Sequence, residues 1–226
     1  MIFFEQVTKS YPDMSSLVFE KISFHVEPGQ LYFLTGESGS GKTTLLKLLL
    51  RDIEPDSGKI LVNGQNILSL RHSKVPFYRR KLGFVFQDFN LLDNFTLEDN
   101  IFLPLVLSNT PHAEMKKRIE PLAKALGIEG LLNKYPYEVS GGQKQRAAVV
   151  RALITDPKLL LADEPTGALD SKASDKLLDK FEEKLGLGSG IILTENGYIL
   201  TNQHVSGNKY SNCFVTLENG KTFNGT

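Results

Sequence analysis

The chain contains a single cysteine, Cys213, among its 226 residues. One cysteine excludes an internal disulfide framework and a cysteine-rich metal cluster. Net charge is also absent, because Lys plus Arg and Asp plus Glu each number 26. No overall field therefore draws the protein to nucleic acid or to an anionic membrane, and no nucleic-acid partner is expected.

The sequence also lacks long apolar runs. None approaches the roughly 18 residues of a membrane-spanning helix. The first residues, MIFFEQVTKSY, lack the basic region and cleavage site of a signal peptide. We therefore expect a cytosolic protein whose association with a membrane, if it has one, comes from a partner.

The periodicity of the chain is typical of an α/β protein. Strand-like residues up to Gly29 indicate an antiparallel sheet, and a hairpin is expected at 57–68 with Asn63-Gly64 at its turn. Residues 88 to about 138 read as a mostly helical insertion, with prolines between helix-length segments. RAAVVRALI predicts a helix, KLLLADEP a buried strand, and SKASDKLLDKFEEKLG an amphipathic helix. After Gly186 the sequence pattern changes to short segments that resemble β-strands.

A glycine-rich segment, GESGSGKT, follows the apolar run LYFLT and precedes the helical pattern TTLLKLLL. It fits the pattern G-x-x-x-x-G-K-[ST], in which backbone N–H groups turn toward phosphate oxygens. Lys42 would bind the β- and γ-phosphates, and the Thr43 hydroxyl would ligate Mg²⁺. The alternative is a glycine turn with an incidental lysine. The predicted nucleotide-binding residues here are Gly36, Glu37, Ser38, Gly39, Ser40, Gly41, Lys42, Thr43 and Thr44.

Two adjacent acids, Asp163 and Glu164, end the apolar run LLLADEP. Buried carboxylates are costly unless a cation faces them, and a phosphate-bound Mg²⁺ would do so. Asp163 would hold the metal shell, and Glu164 would orient or deprotonate the attacking water. A solvated strand end is the alternative.

A second candidate phosphate-binding element is VSGGQKQR, in which Ser140, Gly141 and Gly142 precede a helical pattern. The two elements lie about a hundred residues apart in one chain. A head-to-tail homodimer explains both, since the SGG element of one subunit would close on the nucleotide held by the other. The alternative is an ordinary helix N-cap followed by glycines.

Taken in order, these motifs resemble an ABC-type ATPase over residues 1 to about 185. The resemblance implies an α/β P-loop NTPase with an antiparallel β subdomain, a RecA-like core and a helical insertion at about 88–140. It further implies that Tyr11 stacks on the adenine of ATP and that Gln87, in FVFQD, senses Mg²⁺ and couples to a membrane partner. Asp170, in ALD, would help to join the two subunits. Glu164 and Gln87 would form the catalytic set, and Thr43, Gln87 and Asp163 the metal set.

Within that family the chain resembles the FtsE group of cell-division ATPases, with the lipoprotein-release and macrolide-export ATPases as near relatives. The segment VPFYRRKLGFVFQDFNLL and the run LLADEPTGALD carry this resemblance. It implies an integral membrane partner of FtsX type and a location on the inner face of the plasma membrane. From the residues alone, the basic cluster Arg79-Arg80-Lys81 would be a solvated face.

Residues 186–226 depart from the ABC pattern. Counting from FEE, the family's switch histidine falls near Asn196, and an asparagine cannot carry the imidazolium charge. We therefore expect ATP binding with strongly reduced hydrolysis, or a non-catalytic nucleotide-binding module.

The same residues resemble the start of an HtrA/DegP-type serine protease, with His204 at the position of its general base. No downstream aspartate or nucleophile loop follows, so serine hydrolysis is not expected. The tail would be either a protease fragment or a substitute for the ATPase's C-terminal strands, with GIILT as the missing strand and LENGKTF as the terminal hairpin.

Overall fold

A computed structural model describes residues 2–12, 17–26, 31–34 and 39–163, and the backbone of 189–193, 214–216 and 222–224. The chain divides into two compact units. Unit 1 contains residues 1–79 and 191–226, and unit 2 contains residues 80–190.

The predicted antiparallel sheet is present in unit 1. It contains β1 (Ile2–Lys9), β2 (Phe19–Val26), β4 (Ser57–Val62) and β5 (Gln65–Asn66), in the order β2-β1-β4-β5. Phe4 of β1 lies opposite Phe24 on one side and Ile60 on the other. The rings of Phe4 and Phe24 stack with centroids 4.5 Å apart. Alternate side chains thus form a buried apolar layer, which includes Ile2, Phe4, Ile22, Val26, Ile60 and Val62.

A β-bulge interrupts β1 and changes which side chains face the core. Ile2 and Phe4 are buried, but the next buried side chain is Val7, where strict alternation would give Gln6. Gln6 has a φ of 50°, and the pairing with both neighbouring strands shifts at this point. Gly58 faces the bulge with a φ of 97°, and a Cβ there would lie 2.5 Å from the Gln6 carbonyl oxygen. The bulge sets the direction in which the chain leaves β1.

The hairpin predicted around Asn63-Gly64 is confirmed. β4 and β5 pair antiparallel, with Val62 opposite Gln65. Asn63 and Gly64 have φ values of 50° and 78°, as expected for the two central residues of a type I′ turn.

Unit 1 also contains β3 (Leu31–Leu34), helix α1 (Lys42–Leu49) and the short helix α2 (Val75–Arg79). The predicted strand and helix are therefore present in order, and of the glycine segment between them the structure describes residues 39–41. Two 3₁₀ turns, Ile67–Ser69 and His72–Lys74, connect β5 to α2.

Unit 2 is built on the parallel strands β6 (Leu82–Val85) and β7 (Leu159–Asp163). Between them, the mostly helical segment expected at 88 to about 138 contains α3 (Leu97–Val106) and α4 (His112–Ala125). The helix expected at RAAVVRALI follows as α5 (Gly141–Leu153). Helix α5 packs against α3, α4 and β6. Two of the prolines that were expected between helices, Pro104 and Pro121, lie inside α3 and α4. The 3₁₀ turns of unit 2 are Glu129–Leu131 and Pro136–Glu138.

Near the C-terminus the backbone forms β8 (Ser189–Leu193), β9 (Phe214–Thr216) and β10 (Thr222–Asn224). β9 and β10 pair antiparallel, with Thr216 opposite Thr222. Most of LENGKTF, where a terminal hairpin is expected, lies outside the described residues. The predicted helix SKASDKLLDKFEEKLG lies outside the described residues. In the part of the chain that is described, no helix is long and apolar enough to cross a membrane.

Candidate functional site

The end of the glycine loop is built around Gly41, which precedes α1. Gly41 has a φ of 96°, a left-handed conformation that residues other than glycine rarely adopt. A Cβ there would lie 2.7 Å from Val18 Cγ1 and 2.8 Å from the ring of Phe19. Both backbone conformation and close packing therefore require glycine where the chain enters α1. Gly36, Glu37 and Ser38 lie outside the described residues.

Lys42 and Thr43 occupy the first turn of α1, where the backbone N–H groups point along the axis and the helix dipole favours anions. Lys42 is buried with 9% of its surface exposed, whereas Thr43 is exposed. Four buried leucines fix α1 in unit 1: Leu45, Leu46, Leu48 and Leu49.

Tyr11 lies beside this helix. Its hydroxyl oxygen is 3.4 Å from Thr44 Oγ1, and Thr44 is buried in the first turn of α1. The structure thus brings together two predicted nucleotide-binding residues that are 33 positions apart in the chain.

The other end of α1 is held by residues for which the sequence predicted another role. The buried Tyr78 hydroxyl donates to the Leu49 carbonyl oxygen at 2.7 Å. Arg79 donates to the carbonyl oxygens of Leu50 and Arg51 at 2.8 and 2.9 Å. Burial raises the pKa of Tyr78 above its ordinary value of 10.0. Arg79 was expected on a solvated basic face; although exposed, it satisfies C-terminal carbonyl groups of the phosphate-binding helix.

In unit 2, Asp163 and Gln87 lie at the same end of the parallel strand pair. Val85 lies opposite Ala162, Asp163 is the next residue of β7, and Gln87 follows Val85 by two positions. The carboxyl ends of parallel strands form the edge at which ligands bind in open α/β sheets. Glu164 and Asp170 lie outside the described residues, as do Asn196 and His204.

The segment after Gln87 is strained and is fixed by a side chain that the motifs did not indicate. Phe89 and Asn90 have φ values of 60° and 45°. The guanidinium of Arg151, on α5, donates to the Phe89 carbonyl at 2.5 Å and to the Asn90 carbonyl at 2.6 Å. Burial lowers the pKa of Arg151 to about 10. Arg151 therefore fixes the backbone two to three residues beyond Gln87.

Ser140 begins α5 with a reciprocal capping box. Its Oγ accepts from the Gln143 N–H at 3.3 Å, and Gln143 Oε1 accepts from the Ser140 N–H at 2.8 Å. Ser140 and Gly141 are exposed. The preceding turn is held by Glu138, whose carboxylate accepts from the Tyr135 N–H at 2.7 Å, and this bond lowers the pKa of Glu138. The structure thus presents the start of α5 toward solvent.

The candidate metal ligands are hard oxygen donors: the Thr43 hydroxyl, the Gln87 amide and the Asp163 carboxylate. Among the residues that the structure describes, no group of three or more His, Cys, Asp or Glu forms a metal site. Mg²⁺ is commonly bound through one or two carboxylates together with substrate phosphates. Thr43 of unit 1, and Gln87 and Asp163 of unit 2, each offer an oxygen of the kind that Mg²⁺ prefers.

The model of the ABC transporter family matches residues 19–167. The chain belongs to the ABC transporter family. It is similar to the ABC transporter ATP-binding protein YxdL of Bacillus subtilis (strain 168), with 48% identity over 184 residues, 80% of this chain and 72% of YxdL. It is also similar to the cell division ATP-binding protein FtsE of Escherichia coli (strain K12), with 36% identity over 225 residues, 100% of this chain and 98% of FtsE.

Among solved structures, the dimeric bacterial ABC transporter cassette MJ0796 is 34% identical, with a TM-score of 0.79 over 87% of this chain and 88% of the cassette. A second MJ0796 structure, a post-hydrolysis dimer bound to ADP and Pi, is 33% identical with the same TM-score. The predicted fold class, an α/β P-loop NTPase, is confirmed. The chain is an ATP-binding subunit of the ABC transporter type.

Proposed function

We propose that this ABC subunit binds Mg-ATP at the start of α1 and works as a head-to-tail homodimer. The observation that carries the proposal is the left-handed Gly41 directly before Lys42 and Thr43, at the N-terminus of a helix that is fixed by four buried leucines. There the backbone N–H groups and the Lys42 ammonium meet phosphate oxygens, and Tyr11 offers its ring to the base.

Mg²⁺, when bound with ATP, neutralises phosphate charge, and Thr43, Gln87 and Asp163 are the residues that would hold it. Glu164 holds the attacking water and accepts its proton. The exposed Ser140 and Gly141 supply the hydroxyl and amide donors that close on the partner subunit's nucleotide. The dimeric MJ0796 cassettes support this arrangement, and Asp170 would contribute to the contact between subunits.

We further propose that hydrolysis by this chain is weak, because the position expected for the switch histidine holds Asn196. An asparagine can donate to a phosphate oxygen but cannot carry a positive charge. The Asn196→His variant should hydrolyse ATP at least tenfold faster than the unmodified chain while binding it equally well. Lys42→Ala, which removes the phosphate-binding ammonium, is the negative control. Equal rates in the unmodified chain and Asn196→His would contradict the proposal.

A non-catalytic role is the second candidate function, and Asn196 is the feature that favours it. In that case the chain binds ATP, dimerises and releases no phosphate, even with its membrane partner present. Phosphate release measured on the reconstituted complex separates the two functions.

For the biological role we propose a cell-division ABC complex of FtsE/FtsX type, located at the cytoplasmic face of the plasma membrane. Similarity to FtsE over 225 residues supports this role. Unit 2 also exposes apolar side chains in the segment after Gln87 and at the end of α3, which suit a membrane partner. They are Leu92, Phe95, Val106 and Leu107, exposed by 46%, 44%, 54% and 56%.

Detergent-solubilised FtsX should capture the ATP-loaded chain, and a double variant, Leu92→Asp with Phe95→Asp, should not be captured. Glu114→Gln, a change in an exposed pair with Arg118, is the matched control. Failure of FtsX to retain an ATP-binding chain would favour a lipoprotein-release or macrolide-export transporter instead.

For residues 186–226 we propose that the tail substitutes for the C-terminal strands of the ATPase. The hairpin of β9 and β10, and the extent of the FtsE similarity over the whole chain, support this reading. A protease fragment is the alternative. A fluorophosphonate probe tests the separate hypothesis of serine hydrolysis, and we expect no labelling under either reading of the tail.

A further inference from the structure

The turn after β1 is held by a cluster that no nucleotide-binding motif includes. Asp56, the residue before β4, accepts from the Ser10 N–H at 2.6 Å and from the Ser10 hydroxyl at 2.7 Å through one carboxylate oxygen. Its other oxygen lies 3.3 Å from the Lys9 ammonium. The Asp56 N–H in turn donates to the Thr8 carbonyl oxygen at 2.9 Å. Four polar contacts thus fix Thr8–Ser10 to the start of β4.

Tyr11 follows Ser10 directly in the chain. The Lys9 ammonium lies over its ring, 5.6 Å from the centroid, within the range of a cation–π contact. Only 14% of the Lys9 side chain is exposed, so this ammonium has little freedom to leave. On its other edge, the Tyr11 hydroxyl reaches Thr44 at 3.4 Å. The Tyr11 ring is therefore held in three ways: by the fixed backbone of Ser10 before it, by the Lys9 ammonium over one face, and by the contact of its hydroxyl with Thr44.

The β1 bulge contributes to this arrangement. Because the bulge inserts an extra residue at Gln6, the side chains of all later residues of β1 point to the opposite side of the sheet from the one that strict alternation would give. The cluster around Asp56 begins directly after this part of β1, since Ser10 follows the strand's last residue, Lys9. The hydrogen bonds from Ser10 also favour the ionised carboxylate and lower the pKa of Asp56.

We propose that Asp56 is a positioning residue for nucleotide binding, which acts through Ser10 and Lys9 to hold the Tyr11 ring where the nucleobase stacks. This inference rests on the proposed function, since it needs ATP at the start of α1. The base stacks on the face of Tyr11 opposite Lys9. Asp56 contacts neither the base nor the phosphates. It therefore affects only the part of the ATP affinity that comes from stacking of the base on Tyr11.

The test compares two ligands by calorimetry on the full chain: ATP, and inorganic tripolyphosphate, which lacks the base. Stacking on an aromatic side chain is worth about tenfold in affinity or more. Asp56→Ala should therefore weaken ATP binding by about tenfold and leave tripolyphosphate binding unchanged. Asp56→Asn keeps an oxygen for Ser10 but loses the charge that faces Lys9. Its ATP affinity should therefore lie between those of the unmodified chain and Asp56→Ala.

A double-variant cycle adds a readout that a merely structural residue would not move. In a Tyr11→Ala background, Asp56→Ala should cause no further loss of ATP affinity, because the platform it positions is gone. Ser10→Ala, a smaller change, should weaken ATP binding in the same base-dependent way. Glu5→Gln is the control, since it alters an exposed carboxylate of the same sheet, 3.8 Å from Lys59 and outside the cluster.

The outcomes are distinguishable. Absence of ATP binding by the unmodified chain overturns the proposed function and this inference with it. ATP binding that Asp56→Ala and Ser10→Ala leave unchanged, or an equal loss for ATP and tripolyphosphate, overturns the inference alone.

Discussion

Replacement of Arg151 by alanine should release the strained segment that follows Gln87. Arg151 donates to two consecutive carbonyl oxygens, those of Phe89 and Asn90. Both residues have positive φ values, which side chains other than glycine adopt at a cost. The two charge-assisted hydrogen bonds oppose this cost, together with hydrogen bonds from the Phe89 and Asn90 N–H groups to the Phe86 and Asp88 carbonyl oxygens.

The magnitude follows from these opposing terms. Each hydrogen bond to a charged donor contributes about 1.5–3 kcal/mol, so their loss costs about 3–6 kcal/mol. Complete relaxation would return about 1–3 kcal/mol for each of the two residues. Their N–H groups keep hydrogen bonds to the Phe86 and Asp88 carbonyl oxygens, so we take about half of this strain as released. From the midpoints of the two ranges, we expect a net loss of about 2–3 kcal/mol in the free energy of unfolding. For a chain of this length that corresponds to a fall in Tm of about 4–12 °C.

Urea unfolding monitored by circular dichroism measures the loss, and Arg151→Lys is the informative companion. Lysine keeps the charge but lacks the fork that binds both carbonyls, so it should recover less than half of the lost stability. Arg118→Ala, which breaks an exposed pair with Glu114 on α4, should change stability by about 0.5 kcal/mol or less. If Arg151→Ala were as mild as Arg118→Ala, the reasoning about strain would be refuted.

Three further predictions concern unit 2. Asn100→Ala should lower the free energy of unfolding by about 2–4 kcal/mol in urea titrations, because its buried amide bonds four backbone groups. The Leu92 N–H and the Phe95 carbonyl would lose this bond, whereas the Leu92 and Thr96 carbonyls keep backbone donors; a loss below about 1 kcal/mol would contradict this. Gly83→Ala should cost about 1–3 kcal/mol by thermal unfolding, since its Cβ would lie 2.7 Å from the Ala152 carbonyl oxygen. The Glu138 carboxylate has a lowered pKa through the Tyr135 N–H, so its stabilisation is present above its ordinary pKa of 4.5 and is lost as pH falls through the lower folded-state value. Glu138→Gln should therefore be less stable than the unmodified chain at pH 7 and equally stable near pH 2, and a pH-independent difference would be the contrary result.

The parts of this fold that the sequence predicts correctly are set by neighbouring residues. Asn63-Gly64 specifies its hairpin because both positions need a positive φ, which these residues tolerate. The glycine loop is recognisable for a similar reason, since Gly41 supplies the left-handed entry to α1 that Lys42 and Thr43 require. In both cases the chemistry and the spacing lie within a few residues.

The missed residues act over long sequence separations. Arg151 binds Asn90 across 61 positions, and Asp56 binds Ser10 across 46 positions. Neither contact leaves a local pattern, because an arginine in a helix and an aspartate before a strand are ordinary surface residues. Arg79 was likewise read as a solvated cation, and only the packing of α2 beside the end of α1 gives it carbonyl partners.

The capping box at Ser140 restricts which amino acids suit the start of α5. The Ser140 oxygen accepts from the Gln143 N–H, but a hydroxyl also carries one hydrogen, which remains to be donated outward. An aspartate would cap the helix as well as serine does, yet it would offer no hydrogen and would repel phosphate. A helix start that serves an anion therefore needs a neutral cap. Ser140→Asp should preserve the stability of α5 and abolish closure on nucleotide, which separates the folding role of this side chain from its binding role.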